Sequence, residues 1–484
     1  MIVNHLSLFL LVFLSGSRTI HAQTPARIIK DSLYSNVLRQ ERQIEILLPP
    51  GGIKEGTHYE VFYVLDGEWN TDLNREIMDF LVGEGMMPPQ ILVSVLNGEP
   101  NMRDRDFTPT HVPDNSLSGG ADNFIDFLRN ELRPYIDRKY PVSGKNTLFG
   151  HSFGGLFGMY ALLKSPGLFD SYMLGDPSFW WDNHYIYPLL VAALKQPGRP
   201  MPALFVLGRK GDFEDSTIKL DAAGMDSVVR TVGAMPSNWK IVTSAGETHN
   251  STKLRTLTEG MRFIYKGYIG KPLYVNPTSG GIIVEGRPFT FYSYDNYIEP
   301  FHYTLNGEVP TENSKALAWR ENFTFDHSTD LTITSQTIRP DLAQTIREHF
   351  EIGETIKAEA KPNARWLRDS SFSLSKLRAD SNGWKKFSAY LEIKQAGYYL
   401  MQALGANGIH WYVQNKQVMF SDTAAKNGNY QSVIVPLEKG YYALRIEVRS
   451  QTPAKDAVLL YNPDSNGNGL SLLPDLLYLQ SGKH

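Results

Sequence analysis

The sequence predicts an α/β fold with a mainly parallel sheet over about residues 28–268, followed by two β-rich modules. Short apolar runs alternate with helix-like stretches in the first half, and such alternation indicates a parallel sheet covered on both faces. Past Lys271 helical periodicity largely disappears, and turn residues separate short β-type runs. A Gly150-His151-Ser152-Phe153-Gly154 string lies between an apolar strand and a helix in the first half.

The first apolar run belongs to a predicted signal peptide, residues 1–22. Leu6 to Leu14 is almost unbroken apolar sequence and leads to Ile20-His21-Ala22, so cleavage after Ala22 is expected. The run is too short to span a bilayer, and no later segment has about 18 continuous apolar residues. We therefore expect no membrane span and a secreted or periplasmic protein.

The predicted α/β domain covers residues 23–270. Its predicted strands lie at 43–48, 61–65, 91–96, 147–149, 172–174, 204–207 and 240–243. Its predicted helices lie at 122–138, 154–163, 217–232 and 253–265.

Two breaks divide the rest of the chain. Pro272, Pro277 and Gly280-Gly281 predict a linker, and Lys361-Pro362-Asn363 interrupts the β pattern a second time. The expected modules are residues 275–360 and 365–484, each resembling a β-sandwich.

The amino-acid composition argues against several classes of partner and site chemistry. The 484 residues carry a net charge of −3, which gives no basic footprint for a nucleic-acid partner. The chain has no cysteine, so disulfides, thiolate metal sites and a Cys nucleophile are excluded. An exported chain without cysteine favours a bacterial envelope.

Ser152 is the candidate nucleophile. A Gly-x-Ser-x-Gly string alone is weak evidence, but here it follows a strand and opens a helix, which is the setting of a nucleophile elbow. Small flanking residues let the helix pack close to the strand, and the helix N-terminus directs N–H groups at a developing oxyanion. The alternative is a serine-bearing turn without chemistry.

His249 is the candidate base. It lies just past the last predicted strand and before the last helix, where the base is expected in the order Ser, acid, His. His184, which follows a Trp pair, is better explained by packing or surface exposure.

The acid is expected in the loop after the strand at 204–207. Asp212 is the first choice, Glu214 the second and Asp215 the third, and one of them is also expected to cap the following helix. Asp176, after the preceding strand, is an outside candidate.

The oxyanion hole is expected from two backbone N–H groups. One is that of Phe153, after the serine, and the other comes from the loop at 65–69, where Gly67 allows close backbone approach. No His-Glu-x-x-His or comparable ligand cluster occurs in the domain, so no metal and no cofactor are expected.

At this point four segments together resemble an esterase family that includes esterase D-like, enterochelin (siderophore), feruloyl and acetyl-xylan esterases. They are Tyr63-Val64-Leu65-Asp66-Gly67, Arg103-Asp104-Arg105-Asp106-Phe107-Thr108-Pro109-Thr110, Gly150-His151-Ser152-Phe153-Gly154-Gly155 and Asp176-Pro177-Ser178-Phe179-Trp180-Trp181. The resemblance covers about residues 28–268.

The resemblance implies an α/β-hydrolase fold and ester hydrolysis through an acyl-enzyme. It carries Ser152 and His249 over as nucleophile and base but does not fix the acid. Arg105, with Arg103, is expected either to hold an anionic substrate or to lock a loop through a salt bridge. Trp180 and Trp181 are expected to stack on an aromatic acyl group or a sugar, or to form a lid packed on the core.

The C-terminal half carries weaker similarities. Residues 301–310 and 331–334 resemble the Ig-like module at the end of chitobiases, and residues 390–460 resemble a PA14-type β-sandwich. Such modules accompany glycan-acting enzymes, so carbohydrate binding is one expectation and a spacer role the other. No paired-Asp calcium signature is present.

The function expected is therefore a secreted serine esterase. Glycan-linked acetyl or feruloyl esters are the first substrate class, because of the appended modules, and siderophore esters are the second. A non-catalytic glycan-binding or scaffolding protein that keeps a hydrolase fold is the competing class.

Overall fold

The computed structural model divides the chain into two compact units, Met1–Ile264 and Tyr265–His484. The residues it describes are 28–210, 221–270, 274–294, 301–359, 361–362, 366–368, 377–423, 430–450, 458–462, 471–472 and 477–480.

The first unit is built on an eight-stranded sheet. Its strands are β1 (Ile29–Ser35), β2 (Gln40–Leu47), β3 (Tyr59–Val64), β4 (Gln90–Val95), β5 (Val142–His151), β6 (Ser171–Gly175), β7 (Ala203–Arg209) and β8 (Trp239–Ser244). Their order in the sheet is β1-β2-β4-β3-β5-β6-β7-β8. Strands β1 and β2 are antiparallel to each other, β2 is antiparallel to β4, and β3 to β8 are mutually parallel.

Helices follow most of these strands. They are α1 (Gly67–Gly83), α2 (Arg103–Phe107), α3 (Ala121–Phe127), α4 (Arg133–Lys139), α5 (Phe153–Lys164), α6 (Trp181–His184), α7 (Ile186–Leu194), α8 (Asp221–Val232) and α9 (Thr252–Ile264). A π-helical turn, Leu128–Leu132, joins α3 to α4.

Burial follows this layering. Strands β3, β4 and β6 are buried at every residue, as expected where both faces of a sheet are covered. Helix α5 is buried at ten residues, because it packs on β5 and β6 at the centre of the sheet. The turn between β5 and α5 is therefore held in place at the centre of the sheet.

The sequence expectation for this unit is largely confirmed. The mainly parallel sheet and all seven predicted strands are present, and the helix predicted at 122–138 is α3, the π turn and α4. The structure adds β1, α1, α2, α6 and α7, and residues 217–220 of the helix predicted at 217–232 lie outside the described residues.

The second unit contains three sheets among its described strands. The first strands are β9 (Tyr274–Asn276), β10 (Gly281–Ile283), β11 (Phe289–Tyr294), β12 (His302–Thr304), β13 (Lys315–Ala316), β14 (Arg320–Phe323), β15 (Thr329–Thr334) and β16 (Thr345–Ile352). The others are β17 (Trp366–Arg368), β18 (Lys385–Ile393), β19 (Gly397–Leu404), β20 (Ala406–Val413), β21 (Lys416–Ser421), β22 (Tyr430–Leu437), β23 (Gly440–Ser450), β24 (Val458–Asn462), β25 (Ser471–Leu472) and β26 (Leu477–Gln480). The strand orders in the three sheets are β13-β12-β15-β16-β10-β22-β19-β24-β25, β14-β11-β9 and β17-β26-β18-β23-β20-β21. A 3₁₀ turn, Pro340–Leu342, precedes β16.

The two predicted β modules share a sheet. Strand β10 is parallel to β16 on one side and to β22 on the other, and Gly281 pairs with both Phe350 and Ile434. A Cβ on Gly281 would lie 2.1 Å from the Ile434 carbonyl oxygen, so only glycine fits there. Gly280-Gly281, predicted as part of a linker, is thus a strand junction in the structure.

None of the helices in the described residues has the length and the apolar sequence that a membrane-spanning helix needs.

Candidate active site

Ser152 lies on the sharp turn between β5 and α5. Its backbone has φ 60° and ψ −119°, a strained conformation for a residue with a side chain. A Cβ on Gly150 would lie 2.2 Å from the Gly154 carbonyl oxygen, whereas a Cβ on Gly154 would meet no atom closer than 3.5 Å. The strand and the helix therefore approach most closely at Gly150, before the serine.

The Ser152 hydroxyl is partly accessible and lies 3.4 Å from the Ser178 hydroxyl. Backbone bonds fix the turn, since the Ser152 N–H donates to the Gly175 carbonyl at 3.0 Å and the Ser178 N–H donates to the Ser152 carbonyl at 3.1 Å. Among the hydrogen bonds of the described residues, none joins Ser152 to His249. Bonds of this kind are often long in free enzymes and shorten when substrate binds.

His249 lies in the loop between β8 and α9. Its Nδ1 is 2.6 Å from Asp176 Oδ2, and its side chain is 41% exposed. A carboxylate beside Nδ1 favours the tautomer with the proton on Nδ1, because that N–H can donate to the charged oxygen. Nε2 is then the nitrogen able to accept a proton.

Asp176 follows β6 and has a positive φ of 38°. Besides His249 it accepts two bonds from Arg209, from the backbone N–H at 3.1 Å and from Nε at 2.6 Å. Burial alone would raise the pKa of the carboxyl. The hydrogen bonds from His249 and the Arg209 backbone, with the Arg209 charge, bring that pKa below its ordinary value.

The candidate acid that the structure places beside His249 is therefore Asp176. Asp212, Glu214 and Asp215, the three first choices from sequence, lie outside the described residues. The signal for Asp176 was its place at the carboxyl end of β6, next to β5 in the sheet. Carboxyl ends of neighbouring parallel strands meet at one edge, so Asp176 and Ser152 had to be close.

His151 is a second histidine at the site, to which the sequence reasoning gave no role. It is buried, its Nε2 is 2.7 Å from the His249 carbonyl oxygen, and the two imidazole centroids are 4.5 Å apart. Burial, with the neighbouring His249, lowers the pKa of His151 to about 3. His151 is thus a neutral donor that holds the His249 backbone.

The two predicted oxyanion donors begin two helices. Phe153 is the first residue of α5, and Gly67 is the first residue of α1, after Asp66 in a left-handed conformation. A Cβ on Gly154 would contact Leu65 and Asp66 at 3.5–3.7 Å, so the loop before α1 lies against the first turn of α5. Helix N-termini favour negative charge, and both helices begin in this region.

Arg103 ties these two loops together. Its Nε and Nη2 donate to the Asp66 carboxylate at 2.7 and 3.0 Å, and Nη2 also reaches the His151 carbonyl at 3.3 Å. The guanidinium lies over the Phe153 ring, 5.3 Å from its centroid. Arg103 therefore locks the loop before α1 to the nucleophile turn.

Arg105 is not brought to this site. Its Nε donates to Asp106 at 2.7 Å and its Nη2 to Gln40 at 3.0 Å. Asp106 in turn pairs with the fully buried Arg42 at 2.8 Å. Of the two expectations for Arg105, the geometry matches the salt bridge that locks a loop.

The two tryptophans of the Trp180-Trp181 pair have different surroundings. Trp181 is buried, donates from Nε1 to Thr110 Oγ1 at 3.0 Å and packs edge-on against Phe153 at 5.3 Å. Trp180 is 44% exposed, with its ring centroid 6.0 Å from that of Phe153. His184 stacks on Tyr187 and contacts the Phe179 carbonyl, which matches the packing role expected for it.

Comparison with known proteins connects this domain to esterases. Residues 35–230 match the family model described as "Putative esterase". The ferri-bacillibactin esterase BesA of Bacillus subtilis is 28% identical over 239 residues, which are 44% of this chain and 80% of that protein. A siderophore enterobactin esterase of Emericella nidulans is 44% identical over 87 residues, which are 16% of this chain and 29% of that protein.

Among solved structures, an IroE-like serine hydrolase from Shewanella oneidensis is 30% identical, with a TM-score of 0.44. The match covers 49% of this chain and 80% of that one. The family match and these two esterase relatives support an esterase relationship for the first unit, and none of these matches spans the whole chain.

Proposed function

We propose that the first unit is a serine esterase in which Ser152 is the nucleophile, His249 the general base and Asp176 the acid that orients the base. One observation carries the proposal: a strained serine turn lies at the same sheet edge as a histidine whose Nδ1 is 2.6 Å from a partly buried carboxylate. A nucleophile, a base and an orienting acid are the parts that acyl transfer needs.

The mechanism has two halves. His249 Nε2 takes the Ser152 proton as Oγ attacks the ester carbonyl carbon, and backbone N–H groups of Phe153 and Gly67 stabilise the oxyanion. Each such donor contributes about 10²- to 10³-fold to kcat. Collapse of the intermediate breaks the bond to the alcohol, which leaves with the proton from His249. Water, deprotonated by His249, then attacks the acyl-enzyme and releases the acid and the free serine.

The proposed substrate class is siderophore-type esters. The appended β modules favoured glycan esters from sequence, but BesA is named a ferri-bacillibactin esterase and the Emericella protein a siderophore enterobactin esterase. Their similarity covers the domain that holds Ser152, so it bears directly on the catalytic unit. Glycan-linked esters become the second substrate class.

The test compares Ser152→Ala with Ser143→Ala, which alters an exposed serine of the same strand. Hydrolysis of p-nitrophenyl acetate and of enterobactin should fall by about 10⁴-fold or more in the first variant only. A fluorophosphonate probe should label the wild type and Ser143→Ala but not Ser152→Ala. An unlabelled wild type would favour the non-catalytic scaffold instead, and activity in Ser152→Ala would remove the assignment.

Carbohydrate binding by the second unit is a separate proposal. The observation that favours it is a surface cluster in which the His410 ring stacks on Phe420 and lies against Trp384, with Asp422 2.8 Å from His410 Nε2. Phe420 is 57% exposed, and aromatic faces beside polar groups suit sugar rings. Affinity electrophoresis in polysaccharide gels tests it, and equal mobility of the wild type and Phe420→Ala in every gel would contradict it.

Export is proposed from sequence alone. The apolar run Leu6 to Leu14 supports it, and residues 1–22 lie outside the described residues. Mass spectrometry of the mature protein should find a new N-terminus after Ala22, and an intact N-terminus in the cytoplasmic fraction would contradict export.

A further inference from the structure

A carboxyl group is buried in the second unit. Glu348 is 3% exposed, and the buried residues of β16 are Glu348 and Phe350. Leu331, which pairs with Glu348 from β15, belongs with Phe350 to a core that is rich in aromatic rings. Residues that pair across two strands lie on the same face of a sheet. The Glu348 side chain is therefore on the core face of the sheet, a rare place for a glutamate.

The Glu348 carboxyl has a hydrogen-bond donor for one of its two oxygens. The Gly280 backbone N–H is bonded to it, whereas Oε2 has no hydrogen-bond partner in the part of the chain that the structure describes. Among the described residues no charged side chain offsets the burial, which raises the pKa of Glu348 well above its ordinary value of 4.5. A carboxylate without a counter-ion is far more costly in an apolar core than a protonated carboxyl. The closed core therefore favours the protonated form.

The other titratable groups of these strands differ from Glu348 in position or in chemistry. The exposed residues of β15 and β16 that carry or can acquire a charge are Asp330, Arg347, His349 and Glu351. The core itself contains the phenols of Tyr303 and Tyr398, and strand β10 has only Gly281-Ile282-Ile283. Phenols stay neutral up to about pH 9, so Glu348 is the member of this core whose charge changes below that pH.

The strand that follows Gly280 is the link on which the shared sheet depends. Strand β10 joins β13-β12-β15-β16 on one side to β22-β19-β24-β25 on the other. It has three residues, and it pairs with β22 through Gly281 and Ile434. Because Gly280 directly precedes β10 and is bonded to Glu348, separation of β10 from β16 is a small opening that would let water reach an ionised Glu348.

We propose that Glu348 is a proton-controlled switch on β10, which holds the strand between β16 and β22 while protonated and releases it on ionisation. The switch belongs to the second unit and does not depend on the chemistry at Ser152. Its direction follows from proton linkage, since the closed sheet binds the proton more tightly than the open one. The closed form is fully stabilised below the ordinary pKa of glutamate, and this stabilisation is lost as the pH rises through the raised pKa.

Hydrogen exchange of the full chain tests the switch in Glu348→Gln, with Glu351→Gln as the matched control. Glutamine keeps the size of the side chain and an acceptor for the Gly280 N–H but cannot ionise. Glu351 is exposed on the same strand. Between about pH 5 and pH 8, protection at 281–283 and 345–352 should fall by up to about 10-fold per pH unit in the wild type, after correction for intrinsic rates. Glu351→Gln should keep this fall and Glu348→Gln should lose it.

Infrared spectroscopy of the same proteins separates a switch from a purely structural side chain. The carbonyl band of a protonated carboxyl should persist in the wild type above about pH 6.5, where exposed carboxyls are ionised, and should be absent from Glu348→Gln. It should disappear over the pH interval in which exchange rises. An equal fall of protection in the wild type and Glu348→Gln would overturn the switch. A wild type without this band would overturn it as well, whether or not the variant folds.

Discussion

At the scale of single residues, Asp176 is shared between two hydrogen-bond donors. Arg209 Nε and His249 Nδ1 both lie 2.6 Å from the same carboxylate oxygen, Oδ2. The positive charge of an arginine beside a carboxylate offsets part of the electrostatic attraction between that carboxylate and any other partner. Although burial raises the pKa of Asp176, its bonds to His249 and Arg209 and the Arg209 charge keep that pKa below its ordinary value.

We predict that Arg209→Gln moves the acid limb of the kcat/KM profile to higher pH, by about one unit. Burial raises the pKa of Asp176, and the Arg209 charge is one of the influences that bring it down, so without the guanidinium Asp176 is protonated at higher pH and no longer orients His249 there.

Arg230→Gln is the control for this profile. Arg230 is an exposed residue of α8 whose partner is Asp226, so its loss should leave the profile in place. A lower kcat in Arg209→Gln without any displacement of the acid limb would mean that Arg209 only maintains structure.

His151 predicts a pH dependence of stability. Its pKa is lowered from 6.5 to about 3 by burial, so between these values the unfolded chain binds a proton that the folded unit does not. Stability then falls as pH decreases from 6.5, by up to about 1.4 kcal/mol per unit. In His151→Gln, which keeps a side-chain N–H donor, we expect up to about 2 kcal/mol less loss between pH 7.5 and 5.0.

Hydrogen exchange of the full chain measures this difference at β5 and α5, after correction for the intrinsic exchange rate at each pH. Equal losses in the wild type and His151→Gln would show that the buried imidazole does not contribute to the acid sensitivity.

At the scale of elements, the contact between β5 and α5 depends on Gly150 more than on Gly154, the second glycine of the Gly-x-Ser-x-Gly motif. A Cβ on Gly150 would meet backbone at 2.2 Å, whereas a Cβ on Gly154 would meet nothing closer than 3.5 Å. We predict that Gly150→Ala destabilises the first unit by about 1–3 kcal/mol or more, while Gly154→Ala stays within about 0.5 kcal/mol.

The melting temperature of each full-length variant, with soluble yield, checks this pair. The substitutions are chemically identical and four residues apart, so a general cost of replacing glycine would affect both. Equal destabilisation would contradict the geometric reason given for Gly150.

The strands of the first unit were predictable because each is an apolar run bounded by turns. Helix α1 was missed because its buried face includes Asn70, Thr71 and Asn74, which do not produce an apolar stripe. The sequence placed Ser152 and His249, whose elements are unambiguous. It ranked Asp176 low because a carboxylate after a strand is common, and only the three-dimensional distance to His249 distinguishes it.

At the scale of the whole chain, the second unit differs most from the sequence expectation. Local breaks at residues 272–281 and 361–363 predicted two modules, but pairing between strands far apart in sequence decides the sheets. In the β10–β22 pair Gly281 is paired with Ile434, and a pairing of one residue with one residue far away in the chain produces no pattern in the local sequence. The core around Phe289 and Phe350 is completed by Tyr398 and Ile434 from the second predicted module.

Adjacent residues of β22 contribute to two different cores, which allows a direct test of this shared sheet. Ile434 is buried with Phe289, Phe350 and Tyr398, whereas Val433 is buried with the strands around Trp411. We predict that Ile434→Ala increases hydrogen exchange at 281–283 and 345–352, because the cavity lies in the core that these strands cover.

Val433→Ala is the control, since it removes one carbon atom fewer than Ile434→Ala, from the same strand but on its opposite face. Its increase should appear at 385–393, 406–413 and 440–450, whose inward residues share the core of Val433. If the two predicted modules were independent, Ile434→Ala would leave residues 281–283 and 345–352 unchanged. Both variants would then loosen only the C-terminal strands.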